Sequence, residues 1–117
     1  MIVLHVTLEF APEDVDAYNT GLAELAALTH AEEGCIEYGF ARDLLNPNLI
    51  QVTECWESKE ALELHKQTDH FRNFIANMRP LVQMTFRGYQ AQVDQSLIDQ
   101  SLVGRPSPDL AGSACES

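Results

Sequence analysis

The residues of this sequence best suited to moving a proton are Glu54, His65 and His70. Glu54 and Trp56 lie in the run Leu49 to Glu57, where they alternate onto the same strand face as Ile50 and Val52. A carboxylate on an apolar face is partly buried and needs a partner. His65 and His70 follow just after this run and are the nearest candidates. Five residues apart, they would point about 140° apart on one continuous helix. A break at Thr68 would let them converge on a shared pocket. A histidine held beside a glutamate has the tuned basicity that proton abstraction from a phenolic compound requires. Tyr38, Phe40, Trp56 and Phe71 offer aromatic walls able to stack on a ring. On this reading His65 is the base and Glu54 its orienting partner, with Tyr38, Phe40, Trp56, His70 and Phe71 around the substrate.

The same residues also have simpler readings. Glu54 and His65 equally form a hydrogen-bonded pair that secures a strand-to-helix junction. Tyr38, Trp56 and Phe71 suit a hydrophobic core, and His70 can assist the helix start at Thr68. His5 falls on the opposite face of its strand, which suits a subunit interface, and His30 falls at an exposed helix end. A metal site from Glu54, His65 and His70 has suitable ligand types but no recognised spacing, so no metal is expected.

The elements that must position these residues follow from pattern. Ile2, Leu4, Val6, Leu8 and Phe10 alternate with Val3, His5, Thr7 and Glu9, which predicts a first strand. Pro12 ends it, and Val15, Tyr18, Leu22, Leu25 and Thr29 give an amphipathic helix over 13–31 with Gly34 just beyond its end. Ile36, Tyr38 and Phe40 share one face of a second strand. Asn46-Pro47-Asn48 turns the chain into a third, making a hairpin centred near Leu45 that would set Cys35 close to Cys55. Ser58 caps a short helix over 59–65, and Thr68 caps another with Phe71, Phe74, Ile75 and Met78 as its apolar stripe, closed by Pro80. A last strand covers about 81–93.

This order predicts an α+β fold of ferredoxin-like βαββαβ topology, a four-stranded antiparallel sheet with helices on one face. The helix-free face would carry Val3, His5 and Thr7 with Leu49, Thr53 and Cys55, a mixed surface that a second sheet would cover, which argues for a homodimer. The domain is expected over 1–93. Residues 94–117 form a polar C-terminal extension, disordered from about Gly104 on, whose apolar stretch Leu97, Ile98, Leu102 and Val103 either frays or docks on the domain or a partner subunit.

Length and composition agree with one globular domain: 117 residues, 45% apolar, with no run long enough to span a membrane as a helix. The first residues lack a basic segment and a cleavage site, so a cytoplasmic protein is expected. A net charge of −11 opposes binding to nucleic acid or to anionic membranes. Three scattered cysteines fit neither a disulfide scaffold nor a zinc site.

A family pattern runs through residues 32–71. Glu33-Gly34-Cys35, ahead of Ile36 and Tyr38, resembles the EPGC segment that opens the second strand of antibiotic biosynthesis monooxygenases. Asn46-Pro47 and Glu54-Cys55-Trp56-Glu57-Ser58 resemble that family's turn and its strand-to-helix junction. Ala61-Leu62, His65, Thr68, His70 and Phe71 match its helical signature, and coarser similarity covers 1–93.

The resemblance implies a dimeric α+β barrel formed by two sheets packed face to face. It implies oxidation of a small phenol, quinol or anthrone with O₂, without metal, flavin or haem. Fold is implied more firmly than reaction. Haem-degrading relatives use a trio whose positions fall on Val6, His65 and about Ile75, so the trio is absent. Isomerase relatives acting on small carbonyl compounds use a first-helix histidine where this chain has Leu25-Ala26-Ala27, with His30 one turn later. A non-catalytic small-molecule binding or stress-response domain is the remaining alternative. Glu54 is the feature that separates it from an enzyme, because a binding module needs no base while an oxygenase needs a His–Glu pair lining its pocket. His65 buried with no cavity beside it would remove the catalytic reading.

Overall fold

The computed structural model describes residues 1–97; the remainder of the expected extension, with Ile98, Leu102 and Val103, lies outside the described residues. Four strands, β1 (Ile2–Phe10), β2 (Cys35–Arg42), β3 (Leu49–Trp56) and β4 (Val82–Gln90), form one antiparallel sheet in the order β2-β3-β1-β4. Helices α1 (Asn19–His30), α2 (Lys59–Lys66) and α3 (Asp69–Met78) complete the α+β ferredoxin-like arrangement, with α2 and α3 together in the place of its second helix. Among the described residues no helix is long and apolar enough to cross a membrane.

The alternation in β1 decides which face the helices cover. Ile2, Val6, Leu8 and Phe10 are buried together with Ile50, Val52 and Trp56 of β3 and Tyr38 of β2. Leu22 and Leu25 of α1, Ala61 and Leu62 of α2 and Met78 of α3 close over them. Each of the larger side chains among them, Val, Leu, Ile, Phe or Met, contributes roughly 1.5–3 kcal/mol by leaving water. This stripe of contacts makes the helix-covered face the interior. The opposite face keeps Val3, Thr7 and Thr53 partly exposed and His5 exposed, with the His5 ring edge-on to Tyr89 at a centroid distance of 6.2 Å.

Two expectations change. The helix predicted over 13–31 divides into a 3-10 turn, Val15–Tyr18, and α1. Tyr18 has φ −101° and ψ 0°, off the α-helical track. The tighter turn keeps Val15 in the core while Tyr18 stacks on Phe10 with ring centroids 5.6 Å apart. The hairpin also fails to set Cys35 opposite Cys55. A register shift between Cys35 and Glu37 pairs Cys35 with Trp56 and Glu37 with Cys55. The extra residue, Ile36, is a bulge, and a bulge changes which side chains face each other across the strands.

The hairpin turn itself is held by side chains. Asp43 Oδ1 accepts from the backbone N–H of Leu45 at 2.8 Å and of Asn46 at 2.9 Å, and Asn46 Oδ1 accepts from Asn48 N–H at 3.2 Å. These are the short-range bonds by which Asp and Asn favour turns. Leu44 and Leu45 ride at the tip, 99% and 97% exposed, so the turn is secured by polar bonds rather than packing.

Candidate active site

Three short segments bring the site together, and each is locally specified. The first is the loop after α1. Glu32 N–H donates to Thr29 O at 3.0 Å, and Cys35 N–H donates back to Glu32 O at 3.3 Å. Gly34 turns the chain into β2 with φ +84°, a left-handed angle that side chains disfavour. A Cβ there would also meet the Ala61 Cβ at 2.6 Å, so the loop lies directly against α2. Glu57 N–H donates to Gly34 O at 2.9 Å and ties the loop to the end of β3.

The second segment is α2, which begins where Ser58 Oγ accepts from Ala61 N–H at 3.1 Å and ends at His65 and Lys66. The third is the corner into α3. Thr68 works in both directions there: its Oγ1 donates to His65 O at 2.7 Å and accepts from Phe71 N–H at 3.3 Å. One residue thus closes α2 and caps α3, and the resulting break brings His70 round to the side of His65.

The two histidines converge on Glu32, not on Glu54. His65 Nδ1 and His70 Nε2 each lie 2.7 Å from Glu32 Oε2. Glu54 instead accepts from the indole N–H of Trp56, Nε1 to Oε1 3.0 Å. The expected Glu54–His65 pair is therefore corrected: the carboxylate that orients His65 comes from the loop before β2. Sequence reasoning missed Glu32 because it belongs to no periodic element. The available signal was its position one residue before Glu33-Gly34-Cys35.

A carboxylate oxygen only accepts, so Nδ1–H of His65 donates to it and Nε2 is left as the nitrogen with a free lone pair. His65 is 1% exposed and ringed by aromatics, with centroids 4.7 Å from Trp56, 4.9 Å from Phe71 and 5.7 Å from Tyr38. Burial pushes its pKa below the ordinary 6.5, against the opposing pull of Glu32, which keeps the ring neutral and ready to accept a proton. Burial pushes the Glu54 carboxyl above its ordinary value, opposed by the Trp56 N–H and the charge of Lys66. Tyr38 is raised by burial and by the charge of Glu54, so it stays a phenol.

A cavity of about 440 Å³ opens beside His65, within the roughly 300–1,000 Å³ usual for small-molecule sites. Leu4, Leu62, Phe71, Ile75 and Phe86 form its apolar lining, and Glu54, His65, Lys66 and Arg79 its polar one. Of the residues expected around a substrate, Phe71 lines this space together with His65 and Glu54. Trp56 is wholly buried behind His65, and Tyr38 packs behind it, edge-on to Phe40 at 5.5 Å. Phe40 and His70 face two other grooves, beside α1 and between α1 and α3 respectively. The lining of the cavity does not include them; Tyr38, Trp56 and His70 instead pack against the His65 ring, and His70 shares its Glu32 partner.

Glu32, His65 and His70 also bring one oxygen and two nitrogens of metal-ligating type within 4.8 Å of one another. Glu32 takes the place expected of Glu54 in such a set. As arranged, the three groups satisfy each other by hydrogen bonds.

The antibiotic biosynthesis monooxygenase family model matches residues 1–77. The chain belongs to that family. A Bacillus subtilis (strain 168) relative, named "Putative monooxygenase YcnE", is 28% identical over 82 residues, covering 70% of this chain and 86% of its own. The crystal structure of a "putative antibiotic biosynthesis monooxygenase" from Deinococcus radiodurans superposes with a TM-score of 0.75 at 26% identity, covering 80% of this chain and 95% of that one. PA3566 from Pseudomonas aeruginosa gives a TM-score of 0.72 at 29% identity, covering 79% and 94%. Residues 1–77 of the family match contain Glu32, His65, His70 and Phe71, so the whole hydrogen-bonded cluster lies inside the antibiotic biosynthesis monooxygenase domain.

Proposed function

We propose that this chain is a cofactor-independent monooxygenase acting on a small phenolic, quinol or anthrone-like compound bound in the cavity beside His65. The observation that carries the reading is a buried histidine, its pKa lowered by burial, with Nδ1 committed to Glu32 and its side chain lining a largely apolar cavity. A binding module has no use for an oriented base in its pocket.

Triplet O₂ reacts slowly with closed-shell molecules, so the substrate must first become an electron-rich anion. His65 Nε2 takes a proton from the substrate's acidic C–H or O–H, and Glu32 steadies the imidazolium that forms. The anion passes one electron to O₂, and the radical pair combines to a hydroperoxide that recovers the proton. Loss of water from a CH–OOH carbon leaves a carbonyl. One oxygen atom ends in the product and the other in water, and both hydrogens of the water come from the substrate, so no external reductant is consumed. The apolar lining excludes water and favours charge delocalised over a ring. In the same reading a second copy of the chain covers the helix-free sheet face, and the protein works in the cytoplasm.

Oxygen uptake by metal-free protein against a panel of quinols and anthrone-like phenols tests the reading. Uptake above autoxidation, abolished in His65→Ala and strongly reduced in Glu32→Gln, is the expected result. Uptake equal to background across the panel, or unchanged in His65→Ala, overturns it.

A further inference from the structure

The lining of the same cavity is asymmetric in charge. The chain carries only 7 lysines and arginines against 18 acidic residues, yet Lys66 and Arg79 both border this one space. Lys66 is engaged, 3.1 Å from Glu63. Among the described residues Arg79 makes no ion pair. It is the cation left available to whatever enters.

Helix geometry fixes where that cation stands relative to the base. Phe71, Ile75 and Arg79 are spaced four residues apart along α3 and its C-cap, so all three face the cavity on one stripe. Phe71 packs on His65 at 4.9 Å, while Arg79 lies eight residues further on, about 12 Å along the axis at 1.5 Å per residue. Long helical side chains lean back toward the N-terminus, which returns the guanidinium part of the way toward Ile75. Glu54, held by the Trp56 N–H beside His65, belongs to the His65 end of the space; apart from it and Lys66 the rest of the lining is apolar: Leu4, Leu62, Phe71, Ile75 and Phe86. The space is thus polar at both ends and apolar in its middle.

From this layout we infer that Arg79 is a specificity-determining residue, and that the cavity selects aromatic acids with their anionic group at the end of the ring system away from the reacting hydroxyl or C–H. The carboxylate takes the guanidinium in a two-bonded, charge-assisted contact, the rings lie along Phe71 and Ile75, and the acidic proton is delivered to His65. Strong negative charge over the rest of the molecule makes this local cation the feature that admits an anion at all. An arginine at a helix C-terminus also complements the helix dipole, a role that needs no ligand. The test below separates the two. The inference rests on the cavity being the substrate site, and its experiment reads binding rather than turnover.

Titration calorimetry of the full chain with 6-hydroxy-2-naphthoate, its methyl ester and 1-hydroxy-2-naphthoate provides that test, in wild type and Arg79→Gln. The first probe places charge and hydroxyl at opposite ends, the ester removes the charge, and the last sets the two groups side by side. Wild type should bind the 2,6-acid at least about 10-fold more tightly than either comparison compound, as a charge-assisted contact implies. Arg79→Gln should lose that preference, keep its affinity for the ester and unfold at an unchanged temperature. Equal binding of acid and ester by wild type, no binding of the acid, or equal weakening of both in Arg79→Gln would overturn the inference. Binding with this pattern but without oxygen uptake retires the monooxygenase reading alone. Oxygen uptake with uncharged phenols, together with equal binding of the acid and its ester by wild type, retires the charge preference alone.

Discussion

Replacing Glu32 by glutamine should weaken the fold and disable His65 together, because both histidines hang on one oxygen. Glutamine is nearly isosteric, and its carbonyl can stand where Glu32 Oε2 stands, 2.7 Å from His65 Nδ1 and His70 Nε2. The substitution therefore removes charge while leaving an acceptor. A hydrogen bond to a charged group contributes about 1.5–3 kcal/mol and a neutral one about 0.5–1.5, so each bond loses about 1 kcal/mol and the pair about 2. In a domain of this size that corresponds to a fall in Tm of roughly 8–16 °C. Glu32 is also what pulls the His65 pKa up against burial, by hydrogen bond and by charge, so in Glu32→Gln that pKa should drop further below 6.5. NMR titration of the His65 ring alongside thermal unfolding reads both effects. Glu54→Gln is the control: Glu54 bonds Trp56, so it should leave the His65 titration close to wild type. A His65 titration that moves in Glu54→Gln and stays fixed in Glu32→Gln would refute the cluster as described.

Three further outcomes follow from the same geometry. Gly34→Ala combines a left-handed φ of +84° with a 2.6 Å approach to Ala61 Cβ. It should cost about 2–5 kcal/mol, and calorimetric unfolding of Gly34→Ala, Ala61→Gly and the double variant should show the double less destabilised than the sum of the singles. For pH, His65 is lowered from 6.5, so the unfolded chain takes that proton first and stability should fall as pH drops below 6.5; Glu54 is raised from 4.5, so its contribution is lost as pH rises above 4.5. Melting curves across pH should then show Glu54→Gln gaining stability over wild type near pH 7 and little near pH 4. Trp56→Phe removes the N–H that Glu54 accepts and should cost about 1.5–3 kcal/mol while pushing the Glu54 pKa higher, readable by carboxyl carbon NMR.

Much of the architecture is local enough to read along the chain. Period-two alternation in Ile2 to Phe10 named the core face of β1, and Ser58 and Thr68 marked the starts of α2 and α3 through their own side-chain oxygens. Such signals work because a strand face and a helix cap are settled by neighbours a few residues away. His65, His70, Glu54 and Phe71 were legible as candidates from type and pattern, and three of them do border one cavity.

Which carboxylate meets His65 was not legible. Glu32 and Glu54 are both near enough in fold space, and the choice turns on the loop at Gly34 packing against Ala61, a contact between residues 27 positions apart. The bulge at Ile36, the division of the first helix at Tyr18 and the placement of Trp56 behind His65 are of the same kind. Side-chain type and periodicity determined the elements, the faces they bury and the set of residues able to carry chemistry. Close packing between segments distant in sequence decided which of those residues touch, because a single bulge or a missing Cβ redirects a side chain by more than the length of a hydrogen bond.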